Sequence, residues 1–189
     1  MSSRLLALIP LAVAINVAIG RIVAELSLPV YLDAVGTILV SALAGLGAGI
    51  ATGLISQVFA AFVSGYVWLA FAPIQVLIAL LAYFAARQGG FRNFGASIVW
   101  GCLLGVAGGA LSAFISYLAF KGVTAGGVTF LTTVLVGAGI DLPWAVALSS
   151  LVTDVIDKAL TFALVGVALR SLPVRMISRY PLALRALGR

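Results

Sequence analysis

Charged residues are so sparse in this chain that it cannot clothe a water-soluble fold. They make up 8% of the sequence, against about a quarter in an ordinary soluble domain. Hydrophobic residues make up 63% of the whole, and the mean hydropathy is +1.26. Apolar stretches long enough to cross a bilayer follow one another with only short polar interruptions. The chain therefore reads as an all-α integral membrane protein, because the continuous patterning of a β-barrel is absent. A soluble enzyme and a disordered chain are both excluded. The length leaves room for about six spans with short loops and none for a nucleotide-binding domain, so residues 1–189 form one domain. The 21 glycines suit closely packed membrane helices.

Six apolar stretches can be placed. The first runs from Leu5 to about Glu25 and ends at Ser27-Leu28-Pro29, since proline resists continuing a helix. Asn16 and Arg21 interrupt it, and no small-x-small site follows before Pro29, so it reads as a retained span rather than a cleaved signal. The second runs from Tyr31 to about Gly45. Gly45, Gly47 and Gly49 turn the chain into a third, ending near Trp68, and Pro73 breaks the chain before a short fourth, Ile74 to Ala86. The fifth covers Phe94 to Phe120 and the sixth Leu142 to Leu169, closed by Pro173. Between these two lies a partly apolar segment around Thr129 to Val136, too short to span and too apolar for an ordinary loop. It is expected to form an outer lid packed on protein.

Orientation follows from the basic residues. Arg4, Arg87, Arg92, Arg170, Arg175, Arg179, Arg185 and Arg189 fall on the side of the two termini, against Arg21 and Lys121 on the other. Both termini are thus expected in the cytoplasm. The basic tail, about 170–189, supplies most of the +6 net charge. It suits topology and anionic lipid rather than nucleic acid, for which no separate domain carries the charge.

Ionisable groups inside a span are expensive, and each is a functional hypothesis. Ser150, Asp154, Asp157, Lys158 and Thr161 share one face of the sixth helix. Asp154 and Lys158 can pair across one turn. Two readings stay open for this network: an ion pair holding the helix in the bundle, or ligand recognition and ion coupling. In the first helix Ala14 and Ala18 share a small-residue face suited to close helix approach, while Asn16 lies opposite and seeks the protein interior. Arg21 and Glu25 are one turn apart. The outer side gathers Asp33, Tyr66, Trp68, Gln75, Tyr117, Asp141 and Trp144, with Gln57 the remaining amide within a span. Aromatic residues there also fit an interfacial belt. Their convergence beneath a lid suggests a small-molecule site formed by Asn16, Asp33, Gln57, Tyr66, Trp68, Gln75, Tyr117, Asp141 and Trp144. No histidine is present and Cys102 is the sole cysteine. No catalytic residue, metal or cofactor is therefore expected.

Three runs together resemble the substrate-binding S components of energy-coupling factor (ECF) transporters, which import micronutrients into bacteria. They are the A-x-x-x-A of Ala14 to Ala18, the run Leu28-Pro29-Val30-Tyr31-Leu32-Asp33-Ala34-Val35-Gly36-Thr37-Ile38, and Asp154-Val155-Ile156-Asp157-Lys158 followed by Leu172-Pro173. The second is similar to a P-x-Y/F-L-D-x-I/V-G-T run, the third to a D/E-x-x-D-K ending. The resemblance covers nearly the whole chain. It departs at Gln57, where many members carry asparagine. It implies a six-helix bundle in the bacterial cytoplasmic membrane, with a vitamin or related nutrient bound under the outer loops. It also implies that Ala14 and Ala18 dock on a coupling transmembrane subunit driven by two ATPase subunits. Some S components work without a dedicated module. The cobalamin kind uses an outer-side cysteine, whereas Cys102 lies in the cytoplasmic half of the fifth stretch. A structural or sensory membrane module without a transported ligand is the alternative class, and an ion channel resting on Asp154, Asp157 and Lys158 a third.

Overall fold

The structure, a computed structural model, describes residues 3–124 and 127–189, with side chains from Ala7 onward. Arg4 therefore contributes backbone only, and residues 125 and 126, between the fifth stretch and the lid, lie outside the described residues. The regular structure described is entirely helical. Helix α1 spans Ser3–Glu25. A non-helical connection, 27–34, follows, and α2 starts only at Val35 and ends at Ala44. The second apolar stretch is thus half connection and half helix. Gly45, at φ 100°, turns α2 into α3, Leu46–Ser64, a conformation that only glycine adopts without strain. Helix α3 stops short of Trp68, which sits in the single turn α4, Val67–Ala70. Pro73 opens α5, Ala72–Arg87, instead of breaking the chain, because a first-turn residue has no intrahelical N–H bond to lose. Helix α6, Phe94–Phe120, is capped by Asn93, whose side chain accepts from the Ala96 N–H at 2.7 Å. The lid segment is a regular helix, α7, Val128–Gly137. The long α8, Leu142–Ser171, ends before Pro173, and two single turns follow, α9, Val174–Ile177, and α10, Ala183–Ala186.

Among the described residues, three helices are long and apolar enough to cross a membrane: α1 over Ala7–Glu25, α3 and α6. Helix α8 has 30 residues, about 45 Å at the usual rise, but carries Asp154, Asp157 and Lys158 at its middle. The 10 residues of α2 rise only about 15 Å, half of a hydrocarbon core of about 30 Å.

The tightest pairing is antiparallel, α6 on α8, and glycine permits it. A Cβ at Gly101 would stand 2.6 Å from the Ala159 Cα, and one at Gly109 would stand 2.8 Å from the Leu151 Cα. At Gly105 it would collide with the Val155 Cα. Successive glycines one turn apart thus meet α8 backbone one turn apart in the reverse direction, so the two helix backbones lie in contact. Helix α7 leans on the outer part of α8 through a Thr132–Ser149 hydroxyl bond of 2.7 Å. At the opposite end the tail folds back. Ile177, Ala183, Ala186 and Leu187 are buried in the main core beside Phe91, and the Phe91 N–H donates to the Ala186 carbonyl at 3.0 Å. Arg170 donates to the Phe91 carbonyl and Arg185 to that of Arg87, both at 2.9 Å. Arg87, Arg92, Arg170, Arg175, Arg179, Arg185 and Arg189 therefore gather at one end of the bundle, with Arg21 and Lys121 away from it.

Candidate functional site

The connection 27–34 determines where the site lies. Its Ser27 and Leu28 N–H groups bond back to α1 carbonyls, but those of Tyr31 and Leu32 have no backbone acceptor and need one from elsewhere. Asp157 provides one. Its Oδ1 accepts from the Tyr31 N–H at 2.8 Å and the Leu32 N–H at 2.7 Å, while its Oδ2 pairs with Lys158. The connection is thereby drawn down to the midpoint of α8, and Asp33 comes with it. The Lys158 ammonium stands 3.9 Å from Asp33 Oδ1, 4.0 Å from Asp154 Oδ1 and 5.6 Å from the centre of the Tyr31 ring. Three carboxylates thus surround one buried ammonium. Of the two readings open for this network, Asp157 fits bracing, because both of its oxygens are engaged. Asp154 is held by Lys158 through Oδ1 alone, and its Oδ2 has no partner.

Above Lys158 lies a cavity lined by Tyr31, Asp33, Gln57, Val67, Trp68, Phe71, Ile74, Gln75, Ile78, Ser112, Thr124, Asp154 and Lys158. Its empty space is about 490 Å³ counting the open mouth, and its enclosed part has room for only a few waters. The walls are apolar and aromatic and the polar groups few and convergent, the usual make-up of a small-molecule site.

Of the residues expected at the site, Asp33, Gln57, Trp68 and Gln75 line this cavity, and Asp154 and Lys158 form its floor. Asn16 does not reach it. It borders a smaller neighbouring cavity, shared with Asp33, Gln57, Trp68 and Gln75, and its amide is fully engaged. It donates to Thr37 Oγ1 at 2.9 Å and Ser56 Oγ at 3.0 Å, and accepts from the Gly36 N–H at 2.7 Å. Asn16 therefore fastens α1 to α2 and α3. Tyr66, at 78% exposure, and Trp144, at 68%, face outward. Asp141 is exposed ahead of α8, and Tyr117 is half-buried with Lys121 5.4 Å over its ring. These four fit the interfacial belt. Arg21 pairs with Glu25 as their spacing implies and also donates to the Val63 carbonyl at 2.8 Å.

Tyr31, Phe71, Ser112 and Thr124 were not among the expected site residues. Tyr31 and Phe71 flank residues that were, two positions from Asp33 and four from Gln75, but neither carries a charge to mark it. Ser112 had a signal. It follows Gly108 by one turn on the buried face of α6. Gln75 joins the site to the bundle: its Oε1 accepts from Thr37 Oγ1 at 2.9 Å and its Nε2 donates to Asp33 Oδ2 at 3.3 Å.

On the far face of α1, Ala14 and Ala18 are exposed. They line an apolar groove of about 1250 Å³, open to the outside, with Ile55, Phe59 and Val63 of α3 opposite. No known protein family matches this chain, and no curated protein or solved structure is significantly similar to it.

Proposed function

We propose that this chain is a membrane substrate-binding subunit of the ECF type. On this reading it spans the bacterial cytoplasmic membrane six times with both termini inside. It captures a vitamin or related small nutrient from the outer side and delivers it inward with a coupling subunit and two ATPase subunits. The six spans are α1, the connection with α2, α3, α5, α6 and α8.

One observation carries the reading. The two more specific sequence runs of the resemblance, far apart in the chain, meet in space and form one cavity. Tyr31 and Asp33 come from the first, Asp154, Asp157 and Lys158 from the second, and their atoms are in direct contact. A merely structural module needs no cavity with unpartnered polar atoms at that junction. The exposed Ala14 and Ala18 in their apolar groove supply a second face, one that a large coupling helix can approach closely.

The test is whole-cell uptake combined with native mass spectrometry of the purified chain. A small molecule should co-purify and should be lost on Asp33→Ala. Ala14→Leu and Ala18→Leu should keep that molecule bound while association with the coupling subunit and uptake fail. Uptake that persists without any ATPase module points to a solitary transporter. A folded protein with neither a co-purified molecule nor a coupling partner refutes the reading in favour of a structural module.

A further inference from the structure

The charges around the cavity do not balance. Asp33, Asp154 and Asp157 face Lys158, and Lys158 is the only basic residue in the lining. Arg21 borders the neighbouring cavity and the apolar groove but not this cavity, and is taken up by Glu25 and the Val63 carbonyl. Asp157 is matched by Lys158 and by two backbone N–H groups. Asp33 and Asp154 are left with an ammonium that each reaches only at about the limit of an ion pair, 3.9 and 4.0 Å. A buried surplus of negative charge is relieved either by a proton on one carboxyl or by a compensating positive charge.

Unpartnered atoms point the same way independently. Asp154 Oδ2 and Gln57 Oε1 are buried without a hydrogen-bond partner, in residues 2% and 3% exposed. Both residues line this cavity. Buried acceptors of this kind are rare and call for a donor. Asp33 Oδ2 has only the long 3.3 Å bond from Gln75 and retains accepting capacity. The same lining includes Ile74 and Ile78, which suit an apolar body, and Trp68 and Phe71, whose ring faces suit a flat ring and, through their π systems, a positive charge. A bare metal ion does not fit. Among the described residues no group of three or more metal-binding side chains is placed to hold one, and Lys158 sits among the carboxylates.

We propose that this cavity takes a small organic cation: a flat apolar body carrying a protonated nitrogen group with at least two N–H donors, seated between Asp33, Asp154 and Gln57. The inference rests on the nutrient-capture reading and names the chemical class of its substrate. Carboxylate nutrients are excluded, because an anion would add to the surplus. The ring enters once the connection 27–34 shifts outward, since the space now open holds only a few waters.

The test uses three near-isosteric probes, benzamidinium, benzamide and benzoate, titrated calorimetrically into the full chain in nanodiscs of zwitterionic lipid. Benzamidinium should bind at least about tenfold more tightly than benzamide, with benzoate silent. Asp154→Asn should erase the preference for the cation while leaving thermal unfolding unchanged, and Asp33→Asn should reduce it. Benzoate binding as well as benzamidinium, or no benzamidinium binding at millimolar concentration, overturns the proposal. A neutral or acidic molecule co-purifying in native mass spectrometry overturns the charge assignment and leaves the capture reading standing. Absence of any co-purified molecule together with absence of a coupling partner removes the capture reading itself.

Discussion

Replacing Asp157 by alanine separates bracing from ligand recognition. The substitution removes the shared acceptor of two backbone N–H groups, Tyr31 at 2.8 Å and Leu32 at 2.7 Å, and the partner of Lys158. An unmatched buried donor costs ~1–3 kcal/mol, so the two N–H groups alone cost ~2–6 kcal/mol. Asp157→Asn keeps an oxygen in the same place. It only turns two bonds to a charged acceptor into bonds to a neutral one, a loss of about 1 kcal/mol each. Lys158 keeps Asp33 and Asp154 in both variants, so the ion-pair loss is common to them and cancels in the comparison. Alanine should therefore be clearly less stable than asparagine when unfolding in mixed micelles is followed by tryptophan fluorescence. Amide hydrogen exchange adds a local readout. The N–H groups of residues 31 and 32 should exchange rapidly in the alanine variant and stay protected in the asparagine variant. Equal stability of the two variants, together with equal protection at both amides, would refute the idea that Asp157 holds the connection in the bundle.

The close approach of α6 and α8 predicts that Gly105→Leu destabilises the fold by at least ~1–3 kcal/mol. Its Cβ would lie 2.8 Å from the Asp154 carbonyl oxygen and 2.9 Å from the Val155 nitrogen, backbone atoms that cannot swing aside. Gly137→Leu, with nothing within 4 Å of its Cβ, is the control and should leave unfolding in micelles unchanged. The proposed topology predicts that Gln88→Cys, at the basic end, reacts with an impermeant maleimide only from the cytoplasmic side in a Cys102→Ala background. Phe130→Cys, on the exposed face of α7, should react only from outside. The placement of the aromatic residues predicts that Trp68→Ala weakens benzamidinium binding by at least about tenfold. Trp144→Ala, exposed on α8, should change it less than about twofold in the same calorimetry.

Helix identity was legible in the sequence because apolar length and glycine or proline punctuation act locally. The ends of α1, α6 and α8 follow directly from Leu28-Pro29, the polar run before Phe94, and Pro173. The depth of the connection 27–34 was not legible. Its residues from Tyr31 look like the start of a helix, and the distant Asp157 carboxylate makes a non-helical path with paired N–H groups favourable. The same long-range bond explains which part of the site could be read. Asp33, Asp154 and Lys158 stand out because charge in an apolar chain is conspicuous. Trp144 is turned outward by its phase on α8, Tyr66 and Asp141 stand just outside helices, and Tyr117 is only half-buried; composition alone carries neither helix phase nor helix ends. The run Gly101, Gly105, Gly109 was visible as a four-residue period. What it packs against depends on the antiparallel register of α8, which no local pattern specifies.

The cavity and the alanine face are joined through α1. From Lys158 the polar groups continue to Asp33 at 3.9 Å and Gln75 at 3.3 Å, then to Thr37 and Asn16 at 2.9 Å each. Asn16 donates to Thr37, and Thr37 in turn to Gln75, so each group fixes the orientation of the next, and Asn16 also ties in Ser56 of α3 at 3.0 Å. The chain thus crosses α8, α5, α2, α1 and α3 without leaving the protein interior. Ala14 and Ala18 are two residues either side of Asn16, on the opposite face of the same helix. A helix anchored this way on its inner face cannot slide or rotate alone without breaking several buried hydrogen bonds, each costly to leave unmade. The connection 27–34 joins the same chain through Asp33 and is held to α8 through Asp157, so those are the bonds that opening the mouth must release. On the proposed reading, ligand capture therefore moves the outer connections, and the docking face travels with the body of the bundle. That division is what a subunit needs if it is to present one unchanging face to a coupling partner while its outer mouth opens and closes.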